Sequence, residues 1–183
     1  MQLLLLMSGP VAVGKSGVAR QLVSDHGFQR IGTGDLLRVH LEKEGLSKSR
    51  TDLQGLGDRF DEETDFYWVV QRADEAIAAL EAQQVWILDA VRKKRQVEHF
   101  RKKFGDSVVH VHFVAPEEVL RERYEQRLAA GGEYVGNTTY EEAIRHPNEI
   151  AARSLEELAD YVVDLTTMMP LEAAAHVARL TKG

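Results

Sequence analysis

The sequence predicts an α/β fold: a three-layer αβα sandwich built on a parallel five-stranded sheet. Three observations carry this. Short apolar runs alternate with segments of helical period, as they do where parallel strands are joined by crossover helices. The first run, Leu3 to Met7, passes directly into a glycine-containing turn and then into a helical pattern. The chain has 183 residues, 44% of them hydrophobic, which suits one domain with a core of its own.

In order along the chain, strands are expected at Leu3–Met7, more weakly at Phe28–Ile31, then at Val85–Leu88, Val108–Val114 and Tyr161–Asp164. Helical periodicity marks Gly17–Ser24, Thr64–Glu81, Lys94–Phe104, Pro116–Leu128 and Leu171–Leu180. Pro116 and Pro170 stand near helix starts, where the missing N–H costs nothing. Two segments fall outside the alternation. The stretch from about Leu36 to Asp61 is polar and helical, while Ala129 to Asn137 carries three glycines without apolar period and is expected to be mobile.

Composition narrows the function classes. The formal net charge is −6, with 23 Lys+Arg against 29 Asp+Glu. A duplex-binding protein needs a basic face, so the balance favours a small anionic ligand held by locally focused cations, with no nucleic-acid or membrane partner. There is no cysteine, which removes disulfides and thiolate metal sites. The Leu3–Met7 run is too short for a signal peptide and lacks a basic flank; the expected location is cytoplasmic.

The strongest signal is Gly9–Ser16, GPVAVGKS, a full match to the phosphate-binding loop G-x-x-x-x-G-K-[ST] between a strand and a helix. Gly9 and Gly14 allow backbone N–H groups to converge on one anion, and the helix start adds its positive dipole end. Lys15 is placed to reach the β- and γ-phosphates, and Ser16 to offer a hydroxyl to Mg²⁺. The implied cofactors are ATP and Mg²⁺, and the fold becomes a P-loop NTPase sandwich. Its nucleotide cradle comprises Gly9, Pro10, Val11, Ala12, Val13, Gly14, Lys15, Ser16 and Gly17.

Val85 to Asp89 is an apolar strand ending in an acid, similar to a Walker B segment. Asp89 either holds the metal shell or caps the next helix. Arg92 follows in DAVR and can grip a phosphate with its planar fork; Lys93, Lys94 and Arg95 read as the solvated start of a helix.

Gly32 to Arg38, GTGDLLR, resembles the segment that opens the acceptor-binding flap of adenylate kinases and related nucleoside monophosphate kinases. The resemblance implies that Thr33 and Arg38 contact the acceptor nucleotide and that Asp35 helps to organise magnesium. DAVR resembles the same family's aspartate-to-arginine stretch, and also the Asp-Gly-Val-Arg of archaeal proteins related to dephospho-CoA kinase. Pro116 to Arg127 resembles the arm leading into the family's lid, which implies that Arg123 packs on the ATP base and Arg127 contacts the transferring phosphate; a plain charged helix surface is the alternative. The catalytic set is then Lys15, Arg92 and Arg127, with Thr33, Asp35, Arg38 and Arg92 binding substrate and Ser16, Asp89 and Asp35 near the metal.

On this reading residues 1–183 form a single kinase domain with an acceptor-binding insertion at about 36–68 and a short lid at about 128–145. The lid stretch lacks the family's zinc-type cysteines, and Arg145-His146-Pro147-Asn148-Glu149 stands where the family has an arginine–aspartate pair. In Thr51–Trp68, Gln54, Arg59, Phe66, Tyr67 and Trp68 form either a base-sized pocket or plain core. Arg50, Arg59 and Arg72 are spare cations for an acceptor phosphate, Arg145 and Arg153 are candidates to close over the transferring group, and His112 reads as a structural strand residue. The expected activity moves the γ-phosphate of ATP to a (deoxy)nucleoside monophosphate, by a monomer or homodimer. The alternatives are a dephospho-CoA kinase-like or other small-metabolite kinase and, more distantly, a regulatory ATPase.

Overall fold

A computed structural model describes residues 1–43, 45–46, 50–131 and 138–181, with the side chains of residues 36, 50, 51 and 54 outside that description. The expectations for Arg50 and Gln54 therefore lie outside the described residues, as does the glycine-rich lid segment from residue 132 to 137.

Five strands form the sheet: β1 Leu3–Ser8, β2 Gln29–Ile31, β3 Val85–Asp89, β4 Val108–Val114 and β5 Tyr161–Asp164. Their order is β2-β3-β1-β4-β5, and every pairing is parallel. The expected strands and the sheet type are thus those observed. β1 is central and buried throughout, so its side chains must be apolar on both faces. Alternation sorts them. Leu3, Leu5 and Met7 enter one core layer with α1 (Lys15–His26) and α9 (Pro170–Leu180). Leu4 and Leu6 enter the opposite layer with α4 (Trp68–Ala79) and α5 (Lys94–Phe104).

Between β2 and β3 the chain makes α2 (Thr33–Lys43), α3 (Arg50–Thr64) and α4. The first two share a small core in which Leu37, Leu41 and Leu56 are buried against Leu53, Phe60 and Trp68. The single helix expected over Thr64–Glu81 is corrected here. Asp65 (φ 49°) and Phe66 (φ 64°) take left-handed backbone and end α3. The Thr64 hydroxyl donates to Phe60 O at 2.7 Å and accepts from Trp68 N at 3.1 Å, so one side chain closes one helix and starts the next.

After β4, α6 (Glu117–Ala129) leads to two short helices that periodicity did not reveal, α7 (Tyr140–Ile144) and α8 (Pro147–Arg153). Their signals are caps rather than period. Thr139 and Glu142 form a capping box, and Pro147 opens α8 behind the His146 cap. Among the described residues no helix is long and apolar enough to cross a membrane.

Candidate active site

All the strands point the same way, so their carboxyl ends share one edge of the sheet, where ligands of open α/β folds bind. β1 delivers the loop Gly9–Gly14 to the centre of that edge. Gly9 (φ 135°) and Gly14 (φ 115°) hold conformations that L side chains rarely adopt, and a Cβ on Gly9 would collide with the Phe113 carbonyl on β4. Ala12 is also left-handed, at φ 65°. The loop is therefore a curled cradle pressed against the sheet.

Lys15 opens α1 and folds back over this cradle, donating from Nζ to Gly9 O at 2.6 Å and Pro10 O at 2.7 Å. Burial pushes its pKa down to about 8; Glu149 and Asp89 act against that shift, while Arg92 and Arg127 add to it. One ammonium thus feels residues from β3, the loop after it, α6 and α8. Sequence reasoning grouped Lys15, Arg92 and Arg127 as a catalytic set with Asp89 near the metal, and all three partners act electrostatically on Lys15. Ser16 is exposed at the start of α1.

Asp89 ends β3, one strand away from the loop and in register with Met7. The following helix is capped by Lys93, so Asp89 does not cap it. Its carboxylate pairs with Arg30 at 3.3 Å, a residue on β2 that the sequence reading missed. Arg30 had no motif to announce it, since only sheet pairing puts it beside Asp89.

Arg92 is set by its neighbours. Its N–H donates to Gln96 Oε1 at 3.0 Å, the N–H of Lys93 donates to the same oxygen at 3.3 Å, and Gln96 Nε2 lies 3.5 Å from Asp61 Oδ1. Asp61 accepts from Trp68 Nε1 at 2.7 Å. Burial raises its pKa, with those hydrogen bonds and Lys93 opposing. Trp68 is therefore packing and anchor, whereas Tyr67 is exposed and meets His99 edge-on at 5.2 Å. Arg95 leaves the solvated run to pair with Asp65 at 2.6 Å, Arg59 lies 3.9 Å from Glu63, and Arg72 pairs with Glu75 at 2.6 Å.

Thr33, Asp35 and Arg38 fall in the first turns of α2, just past β2, with Arg38 donating to Asp35 Oδ1 at 2.7 Å. A Cβ on Gly32 would lie 2.6 Å from Asp35 Oδ2 and 3.7 Å from Arg30 Cζ, which places both charged groups beside the start of the flap. On α6, Arg123 donates to Val13 O at 3.0 Å, Leu165 O at 2.8 Å and Thr166 O at 3.2 Å. It stitches the phosphate loop to the turn after β5. Arg127, one turn further, is exposed.

Beneath the loop lies a buried polar chain. Ser8 Oγ is 2.6 Å from His110 Nε2 and 2.8 Å from His112 Nδ1. His112 is held neutral, its pKa pushed down to about 4 by burial, then by His110 and Lys15. It is a structural residue, as its strand position suggested.

The candidates to close over the phosphate differ. Arg153 on α8 is engaged by Glu117 Oε2 at 2.8 Å, Tyr140 OH at 3.2 Å and Glu149 Oε1 at 3.2 Å. Arg145 is exposed at the end of α7. Glu149 on α8, unmarked in the sequence except as a departure from a family pattern, reaches the phosphate loop, its Oε1 accepting from Val11 N at 2.7 Å.

Comparison with known proteins places this arrangement. The chain is 28% identical over 141 residues to a UPF0200 protein of Thermococcus kodakarensis, covering 76% of this chain and 74% of that one. It is 27% identical over 179 residues to an adenylate kinase of a Synechococcus strain, covering 97% and 93%. Its fold is similar to that of a sugar kinase from a Janibacter species, with a TM-score of 0.57 at 16% identity over 98% of this chain and 94% of the other. The sequence profile of AAA_17, an AAA domain, matches residues 8–141. With well over half its length matched by that profile, the chain belongs to the AAA_17 family and carries its P-loop kinase domain.

Proposed function

We propose that the chain transfers the γ-phosphate of ATP to a small phosphorylated acceptor, a ribo- or deoxynucleoside monophosphate. The observation that carries this is the curled phosphate loop itself, with Lys15 Nζ folded onto Gly9 O and Pro10 O and Asp89 ending the neighbouring strand in register with Met7. The likeness to an adenylate kinase over nearly the whole chain supports the acceptor class.

The residues suit the chemistry. Phosphoryl transfer is mostly positioning and charge neutralisation. Lys15, desolvated and held on two carbonyls, exchanges them for phosphate oxygens that stabilise its proton. The backbone at Arg92 is fixed by Gln96, which would let its guanidinium serve the acceptor phosphate, while Arg127 stands on α6. A phosphate acceptor is already a nucleophile at neutral pH, so no strong base is needed. An alcohol acceptor would need a base, a role Asp35 could take; its carboxylate is engaged by Arg38.

Magnesium fits the donor set. The Ser16 hydroxyl is exposed and the Asp89 carboxylate closes the same edge. Among the described residues no group of three or more His, Cys, Asp or Glu is poised to cage a metal. That suits an ion that takes most of its ligands from phosphate and water. Held beside Ser16 and Asp89, Mg²⁺ would supply positive charge against the charge of the transferring phosphate.

The test is ADP release from Mg-ATP across ribo- and deoxynucleoside monophosphates, with dephospho-CoA included. Strong stimulation by one monophosphate is expected. Stimulation by dephospho-CoA alone replaces the acceptor class, and hydrolysis indifferent to every acceptor refutes the kinase assignment.

A further inference from the structure

We propose that Glu149 is a specificity-determining residue of the phosphate loop: its carboxylate occupies the terminal-phosphate position, so a nucleoside triphosphate must displace it and a diphosphate need not. The proposal rests on the nucleotide-binding half of the reading above and is independent of the acceptor.

The geometry is that of a phosphate surrogate. A P-loop N–H normally serves an anionic ligand. Here the Val11 N–H donates to Glu149 Oε1 at 2.7 Å. Lys15 Nζ rests on the carbonyls of Gly9 and Pro10, the two residues before Val11, so ammonium and N–H lie on the same strand-side lip. Glu149 is also the strongest of the charged neighbours acting on Lys15. That lip is where the lysine meets the β- and γ-phosphates, while the glycine-rich turn and helix start cradle the inner ones. A carboxylate and a γ-phosphoryl oxygen cannot share the Val11 N–H.

Glu149 is built into position. Its side chain is 14% exposed, and Arg153 Nε adds a second donor to the same oxygen at 3.2 Å. Arg153 is braced in turn by Glu117 on α6 and by the Tyr140 hydroxyl on α7. On the other side, Asn148 Nδ2 donates to Asp58 Oδ1 of α3 at 3.3 Å. Three helices and the acceptor flap thus hold the carboxylate over the loop. Apparent affinity falls by the fraction of molecules whose site is open, so an occupant present in ~90% of free molecules weakens triphosphate binding about tenfold.

The experiment is calorimetric titration of the full chain with Mg-ADP and with the non-hydrolysable triphosphate Mg-AMPPNP, comparing wild type with Glu149→Ala and Glu149→Gln. Glu149→Ala removes the occupant and is expected to tighten the triphosphate about tenfold while changing the diphosphate less than about threefold. Glu149→Gln, which keeps the shape but loses the charge, should fall between; it also guards against a folding defect in the alanine variant, checked by melting temperature. Equal changes for both nucleotides, or weaker triphosphate binding in either folded variant, overturn the proposal. So does a wild type that binds neither nucleotide. Absence of any stimulating acceptor, with the triphosphate shift intact, refutes the kinase reading alone.

Discussion

The sheet edge that carries the phosphate loop and the helical flap that faces it are held together by different forces. Around the loop, β1 is wholly buried and its two faces feed separate core layers. The loop's shape is then imposed by backbone: left-handed glycines, a Cβ collision at Gly9 and a lysine pinned on two carbonyls. The flap of α2 and α3 has a small apolar cluster around Leu37, Leu41 and Leu56, and much of its remaining support is polar and solvent-facing, such as Arg38–Asp35 and Arg59–Glu63. Exposed pairs of this kind contribute little each. On the function proposed above, a loop fixed by its backbone for the phosphate and a flap with a smaller apolar core for the acceptor would suit closure on the substrate.

The largest effect expected on that contrast separates activity from stability. Lys15→Met should lower ATP turnover by about 10²–10³-fold, since it removes the central cation of the site. Its melting temperature should hold or rise, because a desolvated ammonium is lost from the folded state. A parallel loss of stability would mean that the lysine is part of the scaffold.

On the rigid side, Gly9→Ala places a methyl group against Phe113 O at φ 135° and should cost about 1–3 kcal/mol or more in denaturant unfolding. A neutral result would show that the loop is not pressed on β4.

The buried chain under the loop makes the same side acid-sensitive. His112 titrates near 4 when folded and near 6.5 when unfolded. Between those values the unfolded chain binds a proton that the folded one refuses, so stability is intact above about 6.5 and falls as pH drops towards 4. His112→Asn keeps a donor for Ser8 and should flatten that slope by about 1 kcal/mol per pH unit. Unfolding curves at several pH values decide it; an unchanged slope would move the acid sensitivity to other groups.

The smallest effect belongs to the flap. Gly55 lies inside α3 with nothing within 4 Å of a would-be Cβ. Gly55→Ala should stabilise by about 0.5–1 kcal/mol, the reverse of Gly9→Ala, through reduced freedom of the unfolded chain. Destabilisation instead would show that α3 needs its glycine to pack.

The strands, the phosphate loop and most helices were legible in the residues, because each depends on local signals: apolar runs, a glycine–lysine spacing, helical period. Lys15, Asp89 and Arg92 were named as candidates on such signals, and Arg127 on the resemblance of the α6 arm. The short helices over Tyr140–Ile144 and Pro147–Arg153 were written only in caps, and the break at Asp65–Phe66 only in backbone conformation. Arg30 beside Asp89, Gln96 steadying Arg92, and Glu149 on the Val11 N–H carry no local pattern. A hydrogen bond or an ion pair across the fold depends on distance after packing, and packing joins residues such as Val11 and Glu149 that are remote along the chain. Which anion meets the phosphate loop in the free protein was therefore a tertiary decision, while the loop's ability to hold one was already present in eight consecutive residues.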